Sequence, residues 1–184
     1  MEKDNGELTA LEQAVLTRLS QGELKGRLHQ FAQPYRELMA YYRCAMMEVE
    51  TKFNVMNENF ALGNDCNPIA AIKSRLKSPR SIVDKMIKNK FPLTVDSIET
   101  NLHDVAGVRI VCSYKSDVYM LADSLLRQDD VFLIEKKDYI STPKSNGYRS
   151  LHLIISTPIF LHDKKKMMKV EVQLRTLTMD SWAS

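Results

Sequence analysis

Apolar residues in this chain recur every three or four positions through its first third, and every second position in most segments from Val108 onward. That change of period limits the fold more than any other feature. A helix brings side chains back to one face about every 3.6 residues and a strand every second residue, so the two stretches must form different elements. From Leu8 to about Gln33 the apolar positions are Leu11, Val15, Leu16, Leu19, Leu24, Leu28 and Phe31. Gly22 and Gly26 weaken the middle and predict two short helices. Pro34 is placed as the first residue of a new helix. Leu38, Met39, Tyr42, Met46, Val49, Phe53, Met56 and Phe60 then predict one amphipathic helix from Tyr35 to about Phe60. The breakers Gly63, Asn64, Asp65, Asn67 and Pro68 end it.

Beyond Ile69 a basic segment, KSRLKSPRS, leads into a predicted helix from Ser81 to Lys90, with Ser78 or Ser81 as its cap. Phe91-Pro92 stops that helix, and Thr94 caps a short one reaching Leu102. Strands are expected at 108–114, 131–140, 150–156 and 167–176, with a helix at 116–127 carrying Val118, Met120, Leu121, Leu125 and Leu126 on one side. HDKKK, between the last two strands, reads as a solvated hairpin turn. One helix after the first strand, then consecutive strands, predicts an α+β domain. Its mixed sheet of about five strands is flanked by helices. The expected division is an N-terminal helical region at 1–68 and the sheet domain at 69–184.

Composition excludes more than it selects. The 184 residues suffice for one domain with a hydrophobic core. A net charge of +3 is too small to imply a nucleic-acid binder unless the charge is concentrated. Cys44, Cys66 and Cys112 form no C-x-x-C pair, so they indicate free thiols and no zinc site. The acidic start lacks a signal-peptide core, and no apolar run is long enough for a membrane span, so a cytoplasmic protein is expected.

The chemistry is concentrated on the polar faces of the strands. In KVEVQLRT, Val170, Val172 and Leu174 alternate with Glu171, Gln173 and Arg175. In the preceding strand Leu151, Leu153 and Ile155 are apolar, opposite Tyr148, Ser150 and His152. Val108, Ile110 and Cys112 leave Arg109 and Val111 on the other face. A solvated outer surface is the ordinary explanation for one such strand, but three together predict a lined cleft. Asp104, just before the first of these strands, and Glu171 are carboxylates on a basic background. Two such groups at one end of a sheet can hold Mg²⁺ with substrate phosphates, or accept a proton from an attacking hydroxyl. In KKDYISTPKSNGYR, four cations surround a turn where Gly147 permits close backbone approach and Tyr148 offers a stacking face. Arg75 and Arg109 could sandwich a purine. His103-Asp104 and His162-Asp163 do not fit an HD-type phosphohydrolase, which draws its metal ligands from several helices.

HDVAGVRIVC, DYISTPKSNGYRSLHLII and VEVQLRTLTMDSWA together resemble, in order and spacing, the synthetase domain of the RelA/SpoT family, and in particular its small stand-alone alarmone synthetases. KSRLKSPRSIVDK resembles that family's ATP-binding segment. The resemblance implies a nucleotidyltransferase-like synthetase domain that transfers pyrophosphate from ATP to the 3′-hydroxyl of GDP or GTP, making (p)ppGpp in the stringent response. It implies Asp104 and Glu171 as Mg²⁺ and catalytic carboxylates, with Arg75 and Arg109 flanking adenine. Lys77, Ser81 and Lys85 would meet the ATP phosphates. Tyr148 would stack on guanine, with Lys137, Lys144, His152 and Gln173 on the guanosine nucleotide. It also implies a homotetramer and allows RNA as a regulator. Family members have an aromatic residue where Ser181 stands and run on past Trp182-Ala183, so a C-terminally truncated chain is expected. No hydrolase half is expected before residue 70. The alternatives are a non-catalytic module binding guanine nucleotide or RNA, and a nucleotidyltransferase that would release pyrophosphate and not AMP.

Overall fold

The computed structural model of the chain describes residues 24–63 and 67–183. In chain order its elements are α1 (Leu24–Gly63), β1 (Ile69–Leu76), α2 (Pro79–Lys88), α3 (Val95–Asn101), β2 (Ala106–Cys112), α4 (Lys115–Leu126), β3 (Phe132–Asp138), β4 (Leu151–Phe160), β5 (Lys165–Thr176) and α5 (Leu177–Trp182). The strands form one sheet in the order β1-β2-β5-β4-β3. Only β2 and β5 run parallel; the other neighbours are antiparallel. The expected α+β fold with a mixed five-stranded sheet is therefore present. The helices expected before residue 24, and Cys66, lie outside the described residues.

Two local expectations are corrected. Pro34 does not start a helix; it lies inside α1. An interior proline costs about 3 kcal/mol by removing a hydrogen bond and crowding the preceding turn. Just beyond it Tyr35, Leu38, Met39 and Tyr42 are all buried, and that packing holds the helix through the break. The second correction is β1, read from sequence only as a basic lead-in. IAAIKSRL has weak alternation and helix-forming residues, and most of its side chains stay at least partly exposed. It is a strand because its backbone pairs with β2 from Ile69 opposite Cys112 to Leu76 opposite Ala106. Smaller differences follow tertiary contacts. Met120 is exposed on α4 while Ala122 is buried. Lys166 is no solvated turn residue, because it reaches Glu99 at 2.8 Å.

The caps behave as read. Ser78 accepts a hydrogen bond from the Ser81 amide at the start of α2, and Thr94 accepts one from Ser97 at the start of α3. The core face of the sheet carries Val108, Ile110, Leu151, Leu153, Ile155, Val170, Val172 and Leu174, and α1 adds Tyr42, Val49 and Phe53 to the same core. Leu153 is fully buried in mid-sheet. Leu153→Ala is expected to cost about 2–5 kcal/mol, the range for truncating a buried Leu, read as a lower urea midpoint at unchanged slope.

Candidate active site

The register of the sheet assembles the site on the face opposite that core. Residues directly opposite one another in neighbouring strands point the same way. One cross-strand row runs Lys73, Arg109, Gln173, His152, Lys137 from edge to edge. The adjacent row runs Arg75, Gly107, Glu171, Ile154, Glu135. The alternation of β2, β4 and β5 revealed the middle of these rows from sequence. The ends come from β1, which was not recognised, and from β3, whose partner could not be read.

Two hollows lie over the rows. The first, about 510 Å³, is lined by residues including Lys73, Arg75, Lys77, Asp104, Arg109, Glu171 and Gln173. The second, about 200 Å³, is lined by Glu135, Lys137, Tyr139, Lys144, His152, Ile154 and Glu171. Glu171 belongs to both. Gly107 stands beside Glu171 in the register, and with no side chain there the floor between Arg75 and Glu171 stays open.

Hydrogen bonds hold Glu171 from two sides. His152 Nδ1 lies 3.0 Å from Oε1, and the Gln173 amide donates to Oε2 at 3.0 Å. An ionised carboxylate only accepts, so Nδ1 carries the proton in that contact. Nε2 lies 2.8 Å from the Tyr148 hydroxyl. Arg175 in turn donates to that hydroxyl, and its guanidinium stands 5.0 Å from the Tyr148 ring centre. Burial pushes the Glu171 pKa up, and the Asp104 charge adds to that. The hydrogen bond and charge interaction with His152, together with the Gln173 hydrogen bond, outweigh both, so the net shift is downward. Glu171 is therefore an ionised acceptor at neutral pH.

Asp104 is gripped by Lys77 at Oδ2 and Lys85 at Oδ1, each at 2.8 Å. Burial raises its pKa, but the two ammonium groups pull it lower overall. Both carboxylate oxygens of Asp104 are thus paired with an ammonium group.

The sequence-predicted residues are distributed as follows. Asp104, Glu171, Arg75, Lys77 and Arg109 share the larger hollow, and Gln173 lies there with them, whereas Lys137, Lys144 and His152 line the smaller one. Lys85 joins through its ion pair to Asp104. Ser81 lies at the start of α2, its hydroxyl accepting from Ser78 at 2.9 Å, and is not among the lining residues. Tyr148 stands beside the smaller hollow, bonded to His152, with the Lys144 ammonium 5.2 Å from its ring centre. Tyr139 was missed: Lys144 lies 4.6 Å from its ring centre, and the ring packs edge-on against His152. Its place beside Lys137 in the loop after β3 was the available signal.

Asp180 was also missed. Its buried carboxylate on α5 takes Lys73 at 2.9 Å, Arg109 at 3.1 Å and Arg175 at 3.4 Å. Burial raises its pKa, and the three cations outweigh that, leaving it lowered. A lowered carboxylate contributes stability that is present above its unfolded pKa of about 4 and lost as pH falls through the folded value. The stability gap between the protein and Asp180→Asn should accordingly be full at pH 7 and shrink on acidification below about pH 4. Urea titrations at both pH values read it directly; a gap independent of pH would contradict the assignment.

Residues 74–184 match the family model described as a region found in RelA/SpoT proteins. The chain is 41% identical over 150 residues to the GTP pyrophosphokinase YwaC of Bacillus subtilis, covering 82% of this chain and 71% of that protein. The crystal structure of small alarmone synthetase 2 from Bacillus subtilis superposes with a TM-score of 0.73 at 40% identity, over 82% of this chain and 77% of the other. That of small alarmone synthetase 1 from the same organism, bound to its product pppGpp, gives 0.75 at 32% identity, over 81% and 75%. With the family model matching well over half of its length, the chain belongs to the RelA/SpoT family.

Proposed function

We propose that this protein is an ATP:GTP/GDP 3′-pyrophosphotransferase that makes (p)ppGpp and releases AMP. The observation that carries the reading is Glu171, an ionised carboxylate forming a wall common to two hollows. A transfer between two nucleotides needs one such group at their junction. In this reading ATP occupies the larger hollow, with Arg75 and Arg109 against adenine and Lys77, Lys85 and Ser81 toward the phosphates. The guanosine nucleotide occupies the smaller one, with Tyr148 against the base and Lys137, Lys144 and His152 around it, while Gln173 lines the larger hollow and bonds Glu171 at the junction. Glu171 accepts the proton of the 3′-hydroxyl as its oxygen bonds to the β-phosphorus of ATP. The bond from that phosphorus to the oxygen bridging the α-phosphate breaks, and AMP departs with the electron pair. Holding both nucleotides in line supplies much of the rate, since little covalent work falls to the protein.

The donor set fits Mg²⁺. Asp104 and Glu171 line the same hollow, and both are ionised carboxylates that offer hard oxygen donors. Mg²⁺ is typically held by one or two carboxylates together with substrate phosphates. Bound there, it would neutralise charge on the transferring group. Residues 69–184 carry the site in this reading, with α1 closing the core behind the sheet. A homo-oligomer, the tetramer included, is supported by Met47, Val55 and Leu62, large apolar side chains exposed on α1. Light scattering of the purified protein tests it; a monomer at micromolar concentration rejects it. Among the described residues no helix is long and apolar enough to cross a membrane.

The decisive assay combines the protein with Mg²⁺, ATP and GDP and separates the products. AMP with guanosine tetraphosphate is expected. Pyrophosphate without AMP would mean nucleotidyl transfer. Binding without turnover would mean the non-catalytic module, against which the presence of both carboxylates speaks.

A further inference from the structure

Arg109 contributes its guanidinium to the larger hollow from the middle of β2, where it can adopt several directions unless something fixes it. Two contacts do so. The Gln173 carbonyl oxygen accepts from Nε at 3.4 Å, a long bond, and Asp180 Oδ1 accepts from Nη1 at 3.1 Å. The ionic contact is the stronger of the two, because a charge-assisted hydrogen bond is roughly twice as strong as a neutral one. Asp180 is itself buried and held on the short helix α5, which Thr176 caps directly after β5. It does not line the hollow but stands behind its wall, and its other oxygen holds Lys73, which does line it.

The geometry points to Asp180 as a positioning residue for the ATP side of the site: it sets the plane of the Arg109 guanidinium, and the direction of Lys73, before the nucleotide arrives. Stacking of a guanidinium on a purine depends on that plane, so a freely rotating Arg109 would lose ordering entropy on binding that a fixed one has already lost. Arg175 depends on Asp180 far less. It keeps Gln173 at 3.0 Å, Ser150 at 3.4 Å and the Tyr148 hydroxyl. The consequence is asymmetric: removing the Asp180 charge disturbs the ATP hollow and spares the guanosine one.

This inference rests on the proposed placement of ATP, and calorimetric titration separates the two. The probes are α,β-methylene ATP, which cannot transfer its pyrophosphate, and GDP, each with Mg²⁺. The proteins are the full chain, Asp180→Asn, Arg109→Ala and the double variant, with melting curves establishing that each is folded. Asp180→Asn should weaken the ATP analogue on the order of tenfold, the equivalent of one lost charge-assisted contact, and GDP less than about twofold. In the Arg109→Ala background the same substitution should weaken the analogue by less than about threefold, because Asp180 acts chiefly through Arg109. Asp180→Glu, held to the same split, replaces Asp180→Asn if that variant does not fold. Equal loss for both nucleotides, or the full effect persisting without Arg109, overturns the positioning role. An unmodified protein that binds no ATP analogue overturns the ATP placement and this inference with it.

Discussion

Glu171→Gln is expected to lower kcat by about 10²–10⁴, the usual contribution of a positioned general base, while the protein still binds both nucleotides. The reason is specific to its surroundings. The Glu171 oxygens already accept from His152 and Gln173, and the remaining lone pairs are what a 3′-hydroxyl proton can use. A glutamine keeps the shape but cannot take a proton at neutral pH. Its amide also places a donor toward His152 or Gln173, which amide rotation can partly relieve at a cost of about 1 kcal/mol. Single-turnover rates with saturating ATP and GDP read the effect free of binding changes. Turnover within about threefold of the unmodified protein would remove Glu171 from the base role and leave the two-hollow reading without its junction.

Asp104→Asn should act through the metal. Removing the charge leaves Lys77 and Lys85 facing a neutral amide and takes away one of the carboxylate oxygens offered to the hollow. The Mg²⁺ concentration for half-maximal rate is expected to rise about 10–100-fold, with kcat reduced even at saturating Mg²⁺. A modest loss of stability, about 1–3 kcal/mol, should accompany it, because the Lys77 ammonium is largely buried and loses its partner. An unchanged Mg²⁺ profile would place the metal elsewhere. The two variants are distinguishable, since Glu171→Gln lowers the rate most strongly while Asp104→Asn also changes the metal requirement.

The legible portion of the site was its centre. Alternation in KVEVQLRT and SLHLIIS put Glu171, Gln173 and His152 on the face opposite a run of Val, Leu and Ile, and the structure keeps them there. Such alternation is readable because a strand with one buried face must repeat every second residue. Asp104 was readable as an acid at the entrance to β2, among cations. Lys73 was legible only as one cation of a basic segment able to meet a polyphosphate, because β1 carries no clear alternation of its own. Asp180 was hidden for another reason. Nothing local marks an Asp in LTMDSW as the partner of residues on three strands.

The sequence by itself determined which stretches are helices and strands where burial is one-sided, the caps at Ser78 and Thr94, the family, and the residue types on the polar face. These depend on interactions within a few positions along the chain, or on repeats that a linear pattern displays. Tertiary structure alone decided that β1 is a strand, that α1 runs through Pro34, and that β2 and β5 lie side by side in parallel. It also decided that Glu171 stands between two hollows and that Asp180 gathers Lys73, Arg109 and Arg175. Each of these depends on backbone pairing, packing or charge meeting across long separations in the chain, where energy is set by what arrives opposite and not by what comes next.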